Sequence, residues 1–189
     1  MKKLFLMMFI AAGILLAANS GMAYKFGVGA DFQTGGDFYK LATLPSGSTQ
    51  PFYTGSTNGE TLIPVPGIYP VVHLLLGDDN NLLDIGVGFA GTALTIGLGG
   101  EYTYFKVTEM FRFYGSGGLT YYIIGDMPGW TFLKLNSTIL GLEVNLPVLP
   151  VSAYASGGLR FPMIFGPNEQ FIMGVGWEIA VGARFYILR

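Results

Sequence analysis

The chain has 189 residues, enough for one domain, and no block of it reads as a second. Hydrophobic residues make up 51% but charged ones only 12%, about half the usual share of a soluble domain, so much apolar surface must be hidden somewhere. A formal net charge of −2 gives no basic footprint for nucleic acid, and the lack of cysteine excludes disulfides, thiolate catalysis, Cys-ligated metal and an acylated lipoprotein anchor.

Lys2 and Lys3 precede an uncharged apolar run from Leu4 to Ala18, followed by Asn19-Ser20-Gly21-Met22-Ala23. A charged start, a short apolar stretch and small residues before a site after Ala23 make a cleaved secretory signal peptide. The alternative, an anchor helix, needs about 20 apolar residues, and this run is shorter. The sequence thus divides into 1–23, removed on export, and a mature domain over 24–189. No later apolar run reaches bilayer length without Gly, Pro or a charge, which excludes helical spanning.

From residue 24 onward the dominant signal is period-2 alternation, the signature of strands. In 24–33, Tyr24, Phe26, Val28, Ala30 and Phe32 alternate with Lys25, Gly27, Gly29, Asp31 and Gln33. Residues 67–76 are apolar on both faces and contain Pro70; they count as a strand because the total is then even. In 82–90, Leu83, Ile85, Val87 and Phe89 oppose Asp84, Gly86 and Gly88. Over 94–104, Leu94, Ile96, Leu98, Tyr102 and Tyr104 alternate with Thr95, Gly97, Gly99, Glu101 and Thr103. Segments 111–124 and 151–161 follow less cleanly, and Gly115-Ser116-Gly117-Gly118 and Ser156-Gly157-Gly158 are places for a bulge that shifts parity. The last two are 139–146, with Glu143 inside, and 171–187, with Glu178 and Arg184 inside. Together they predict an all-β fold, an eight-stranded antiparallel up-and-down transmembrane barrel.

Connections fit that count. With the N-terminus on the periplasmic side, 77–81, 107–110 and 147–150 are short periplasmic turns. The connections 35–66, a tight turn near Gly91, 125–137 and 162–170 are then external. The polar face mixes small residues with single charges: Lys25, Arg112, Arg160 and Arg184 against Asp31, Asp84, Glu101, Glu143 and Glu178. These nearly cancel, as charges in a narrow lumen must. The other face carries aromatics near both strand ends, with Tyr24, Phe26, Tyr102, Tyr104, Phe111, Phe113 and Phe185 at one and Phe32, Phe89, Tyr121, Phe161 and Phe171 at the other. Two such girdles suit two lipid–water boundaries. Ile96, Val87 and Leu142 are expected to face hydrocarbon, and Gly97, Gly88 and Glu143 the lumen.

Gly99-Gly100-Glu101-Tyr102-Thr103-Tyr104, the turn at 107–110, Arg112-Phe113-Tyr114-Gly115-Ser116-Gly117-Gly118 and the closing Gly176-Trp177-Glu178-Ile179-Ala180-Val181-Gly182-Ala183-Arg184-Phe185 resemble small bacterial outer-membrane barrels of the OmpA, OmpX and OmpW kind. The resemblance covers essentially the whole mature region. Such barrels usually end in an aromatic residue, whereas Arg189 is last here and Tyr186 is the nearest aromatic. Outer-membrane lipid A deacylases and palmitoyltransferases resemble this architecture, but His73, the single histidine, is followed by Leu74-Leu75 and lacks their motifs. It reads as lumen filler. The repeated Gly-x-Gly elements lie within strands and precede no helix, so they are not phosphate loops. Glu101 and Arg112 read as a charge pair across a short turn, not as catalytic groups.

The expected function is non-enzymatic, without cofactor or metal: a structural or surface-interaction barrel, monomeric, embedded in outer-membrane lipid. Loop 35–66, carrying Phe38, Tyr39, Phe52 and Tyr53, is the place for an extracellular ligand. Two alternatives stay open, a narrow porin-like channel for ions or small hydrophobic solutes and a soluble secreted lipophile-binding barrel. A charge-plugged interior argues against a wide pore; an apolar cluster at the outer mouth would favour hydrophobic uptake. Cleavage after Ala23 predicts that N-terminal sequencing of the mature protein starts at Tyr24; an intact Met1 would overturn export.

Overall fold

The computed structural model describes residues 25–43, 68–91, 93–125, 129–146, 148–167 and 171–188, backbone alone at 37–43 and 188. The expected signal segment 1–23, Tyr24 and most of the first loop, with Phe52 and Tyr53, lie outside the described residues. The strands are β1 (Lys25–Thr43), β2 (Tyr69–Gly77), β3 (Asn81–Ala90), β4 (Ala93–Val107), β5 (Phe111–Ile123), β6 (Thr131–Asn145), β7 (Val151–Phe165) and β8 (Phe171–Leu188). Each pairs with the next, and β8 pairs antiparallel with β1, giving a closed barrel. Closure gives the first and last strands partners on both sides, so the pairing between them removes a sheet edge.

One end of the barrel holds the tight connections 78–80, 108–110 and 146–150, together with Lys25; we call it the turn end. The other, the loop end, holds the remaining connections. The turns are closed locally. Asp78 Oδ1 accepts from the backbone amides of Asn80 at 2.7 Å and Asn81 at 2.8 Å, fixing the β2–β3 turn. In the β4–β5 turn, the Met110 amide donates to Thr108 Oγ1 at 3.2 Å.

The two faces have opposite chemistry. Val87 and Ile96 are each 44% exposed on the outside, whereas Glu143 is 1% exposed inside. Outward aromatics gather toward the ends: Tyr102, Tyr104, Phe105 and Phe185 near the turn end, Phe32 and Phe89 near the loop end, all exposed. A water-soluble barrel has the reverse arrangement. Pro70 sits one residue into β2, opposite Phe32.

β6 starts well before the expected boundary, inside the segment read as the connection 125–137. The cause is a change of phase. Phe132 and Lys134 are buried, then beyond Ile139 the buried set becomes Gly141 and Glu143. The β6–β7 register moves from Thr138↔Gly158 to Leu140↔Gly157, so one extra β6 residue is accommodated there. Ile139 and Leu140 consequently both face outward, each 57% exposed. A strand that reverses parity midway escapes a period-2 reading, and its polar first half resembles a loop.

A second bulge lies in β4, where Thr103↔Tyr114 is followed by Phe105↔Phe113. The glycine runs of β5 and β7 therefore do not shift parity themselves; they face strands that do. At Gly158 an added Cβ would stand 1.8 Å from the Ser137 carbonyl oxygen, so only glycine lets β7 approach the bulged β6 this closely.

β1 also outruns its expected end, continuing to Thr43 because β8 is long enough to pair with it, down to Thr43↔Ile172. Gly35-Gly36 mimics a turn signal. A Cβ on Gly35 would meet the Trp177 carbonyl oxygen at 2.4 Å, and one on Gly36 the Trp177 indole Nε1 at 3.0 Å. The glycines make room for tryptophan. Phe38 and Tyr39 thus belong to β1 instead of the loop, and the first connection begins after Thr43.

Ile179 is outward and near the middle of β8, whereas Phe185 lies close to the turn end. In lipid, Ile179→Arg should cost about 2–4 kcal/mol of folding free energy and Phe185→Arg about 0–1 kcal/mol. Urea refolding into vesicles measures both; equal costs would contradict a depth-dependent apolar exterior.

Candidate functional site

Inward residues occupy three levels of the lumen. Nearest the turn end, Glu101 of β4, Arg112 of β5, Glu143 of β6 and Arg184 of β8 form a closed lattice of two cations and two anions. Arg112 Nη1 lies 3.0 Å from Glu101 Oε2 and 2.8 Å from Glu143 Oε2. Arg184 Nη1 is 3.2 Å from Glu143 Oε2, and its Nη2 also pairs with Glu101 Oε1. Neutral groups join it: Tyr186 Oη donates to Glu143 at 2.7 Å and Ser152 Oγ to the same oxygen at 2.5 Å, while Thr103 Oγ1 accepts from Arg112 Nε at 2.7 Å. Tyr114 lies beneath both guanidiniums, 4.9 Å from Arg112 and 5.3 Å from Arg184; Tyr154 lies 4.1 Å from Arg184. Buried ions cost several kcal/mol each unless every charge is paired and hydrogen-bonded, and here each carboxylate meets both arginines.

The middle level centres on His73 of β2. Its Nδ1 is 2.7 Å from Asp84 Oδ1 on β3, and its Nε2 is 3.2 Å from Asp31 Oδ2 on β1. The second contact is within ion-pair range but is not aligned as a hydrogen bond. Tyr154 Oη donates to Asp31 Oδ2 at 2.7 Å. Beside this group is a void of about 70 Å³, lined by Gln33, Tyr69, Asp84, Thr95 and Asn136 among others. It is polar and roomy enough to hold water.

Toward the loop end, Lys134 of β6 pairs with Glu178 of β8 and reaches Tyr69 Oη at 3.3 Å. Tyr69 in turn donates to Gln33 at 2.9 Å. Arg160 is fully buried, its Nη1 3.4 Å from the position a Cβ would take on Gly35. Above this level Tyr69, Val71, Tyr122, Phe132, Ile164 and Ile172 pack into an apolar cluster, with Trp130 against it.

Of the charged residues picked out by alternation, Glu101, Arg112, Glu143 and Arg184 come together directly. Asp31 and Asp84 meet through His73, and Glu178 joins Lys134. Lys25 stands apart at the turn-end mouth, where it pairs with Asp79, as does Lys106 at 3.2 Å. The hydrogen bond from Lys25 holds the Asp79 carboxyl below its ordinary range, against the opposing effect of partial burial. The link between β1 and the β2–β3 turn is therefore lost when acid protonates that carboxylate. A vestibule of about 470 Å³ opens here, lined by Lys25, Asp79, Lys106, Glu109 and Asn145. The side chains of Phe38 and Tyr39 lie outside what the structure describes.

Several interior residues lie beyond the alternation signal. Lys134 precedes a bulge and falls in the expected connection 125–137, while Lys106 follows one and falls between the expected strand 94–104 and the turn 107–110. His73 looked like filler because Asp31 and Asp84 approach it only once the strand register is known. Tyr114 and Tyr154 were findable: they share parity with Arg112 and Arg160 in their strands.

No family model matches the chain, and no curated protein matches it. Among solved structures, the barrel is similar to the outer membrane protein AlkL, determined by solid-state NMR in DMPC bilayers, at 13% identity and a TM-score of 0.46, over 90% of this chain and 94% of that one. It is also similar to the outer membrane protein OprG from Pseudomonas aeruginosa, at 13% identity and a TM-score of 0.41, over 87% and 96% of the two chains. The N-terminal β-barrel domain of Pseudomonas aeruginosa OprF matches at 15% identity and a TM-score of 0.33, over 82% and 96%.

Glu143 is the acceptor on which both arginines, Ser152 and Tyr186 converge. Glu143→Gln should destabilise the folded barrel by about 3–5 kcal/mol, since it strands buried cations. Asp79→Asn, at a largely exposed pair, should cost no more than about 1 kcal/mol. Urea titrations of the two variants in vesicles give the comparison; similar costs would mean the lattice is not a buried unit.

Proposed function

We propose that this chain is an exported, monomeric outer-membrane barrel with a sealed lumen, a non-enzymatic scaffold that presents its loop-end surface to external ligands. The observation that carries this reading is the inversion of the two faces: apolar outside, and inside a charge lattice whose members are nearly fully buried. Such an exterior needs hydrocarbon around it, and a closed barrel is one of only two backbone arrangements that satisfy every peptide group there. A channel needs a continuous polar path. Here the charge lattice crosses the lumen toward the turn end and a cluster of packed apolar side chains closes it at the loop end, which leaves the presentation of loops on a rigid wall as the use of the fold.

The supporting experiments are fractionation and conductance. The protein should sediment with the outer membrane and lose its loops, but not its barrel, to protease added outside intact cells. In planar bilayers it should give little or no single-channel current. A large, stable conductance would show that the interior is open and would sink the scaffold reading.

A second reading is favoured by one specific feature, the apolar cluster of Tyr69, Tyr122, Phe132, Ile164 and Ile172 at the loop end. A site of this chemistry admits a small hydrophobic solute far more readily than an ion. Trp130 stacks with Phe132 at 6.3 Å between ring centroids, so its emission reports on the cluster. In a Trp177→Phe background, saturable quenching or a shift of Trp130 emission on adding a short-chain apolar solute would support uptake. An unchanged spectrum up to solubility would remove this reading and leave the scaffold.

A further inference from the structure

We propose that His73 is an imidazolium latch, tying Asp31 of β1 and Asp84 of β3 to β2 along one wall of the lumen while it carries two ring protons and releasing the two carboxylates when one is lost. The inference needs only the barrel interior and does not depend on where the protein resides or what its loops contact.

The geometry comes first. Both ring nitrogens face carboxylate oxygens, Nδ1 at 2.7 Å from Asp84 and Nε2 at 3.2 Å from Asp31. A neutral imidazole has one N–H and one lone pair. In either tautomer, a ring nitrogen without a proton would therefore sit within 3.2 Å of a carboxylate oxygen. With both carboxylates ionised, only the doubly protonated ring gives each an attractive partner. Its side chain is 9% exposed and that of Asp31 2%, so water offers neither much relief.

The surroundings identify what the latch holds. From β1 it is faced by Asp31, with Gln33 beyond, and from β3 by Asp84. Tyr154 of β7 reaches it through Asp31. Arg184 of β8 comes close enough that a Cβ on Gly29 would touch both its Cγ, at 3.3 Å, and His73 Cβ, at 3.5 Å. Glu101 and Tyr69 share the adjoining void of about 70 Å³. Loss of the ring proton leaves two aspartates facing a neutral ring beside the void of about 70 Å³. Water then enters to solvate them, and the seal between the turn-end lattice and the loop-end cluster weakens. The sign follows from the contact itself: the latch needs a doubly protonated ring facing ionised carboxylates, so it is released when the ring gives up a proton.

His73 is the only histidine in the chain, so its imidazole gives a single set of signals. The test uses untagged protein with ¹⁵N-labelled histidine, folded in lipid vesicles or micelles. Nitrogen NMR should find both ring nitrogens protonated at pH 8, where a free imidazole, with a pKa of about 6.5, is almost wholly neutral. Asp84→Asn and Asp31→Asn should each move ring deprotonation to lower pH by about one unit or more. A wild-type ring that titrates like free imidazole, or holds one proton at pH 7.5, would overturn the proposal without any variant having to fold. A separate reading comes from leak current in planar bilayers as pH is raised. It should climb several-fold in step with ring deprotonation and lose its pH dependence in His73→Gln. A ring that deprotonates with no change in leak would refute the latch even if the protonation state is as proposed.

Discussion

The pairing of β1 with β8 is the constraint on which the rest of the molecule depends. Joining the ends of an eight-stranded sheet removes both edges and gives each strand a partner on either side. It also fixes the bore. With this strand number the interior is only wide enough to be filled by side chains. Every polar group that the alternation sends inward must therefore find its partner within that narrow column, because little water is there to substitute. The apolar exterior and the crowded charged interior are two results of the same closure.

In such a bore the charges specify position more than they add stability. Ion pairs drawn out of water roughly break even with well-packed apolar groups, yet breaking one is expensive. The lattice of Glu101, Arg112, Glu143 and Arg184 draws one residue from each of four strands. A slip of any of the four by one residue would turn its charge toward the outside. The Asp84–His73–Asp31 group does the same for the first three strands, and Lys134–Glu178 ties β6 to β8. Together these groups touch most of the strands, so register around the barrel is cross-checked from within.

The fold was legible because period-2 patterning survives along most strands, and because a glycine-rich, cysteine-free, weakly charged chain needs a hidden apolar surface. The interior charges on regular strands were legible for the same reason: Glu101, Arg112, Glu143, Glu178 and Arg184 sit in phase. What stayed hidden has a common physical origin. A bulge resets the phase, so Lys134 before Ile139 and Lys106 after Tyr104 dropped out of the pattern. Gly35-Gly36 reads as a turn, yet it is a clearance for Trp177 that becomes visible only when β8 lies alongside. The partners of His73 are set by cross-strand register, a long-range property no local window contains.

The extra residue at Ile139 divides β6 into two halves that obey opposite rules, with Lys134 inward on an even phase and Glu143 inward on an odd one. Losing one residue between them would swing either the lysine or the glutamate onto the apolar outer face, while every amino acid that remained was individually acceptable. Inheritance in this stretch is therefore a matter of counting. Apolar outward positions such as Leu133, Leu135 and Leu142 can drift among similar side chains, but the spacing of nine residues separating Lys134 from Glu143 is as much a part of the structure as the charges at its ends.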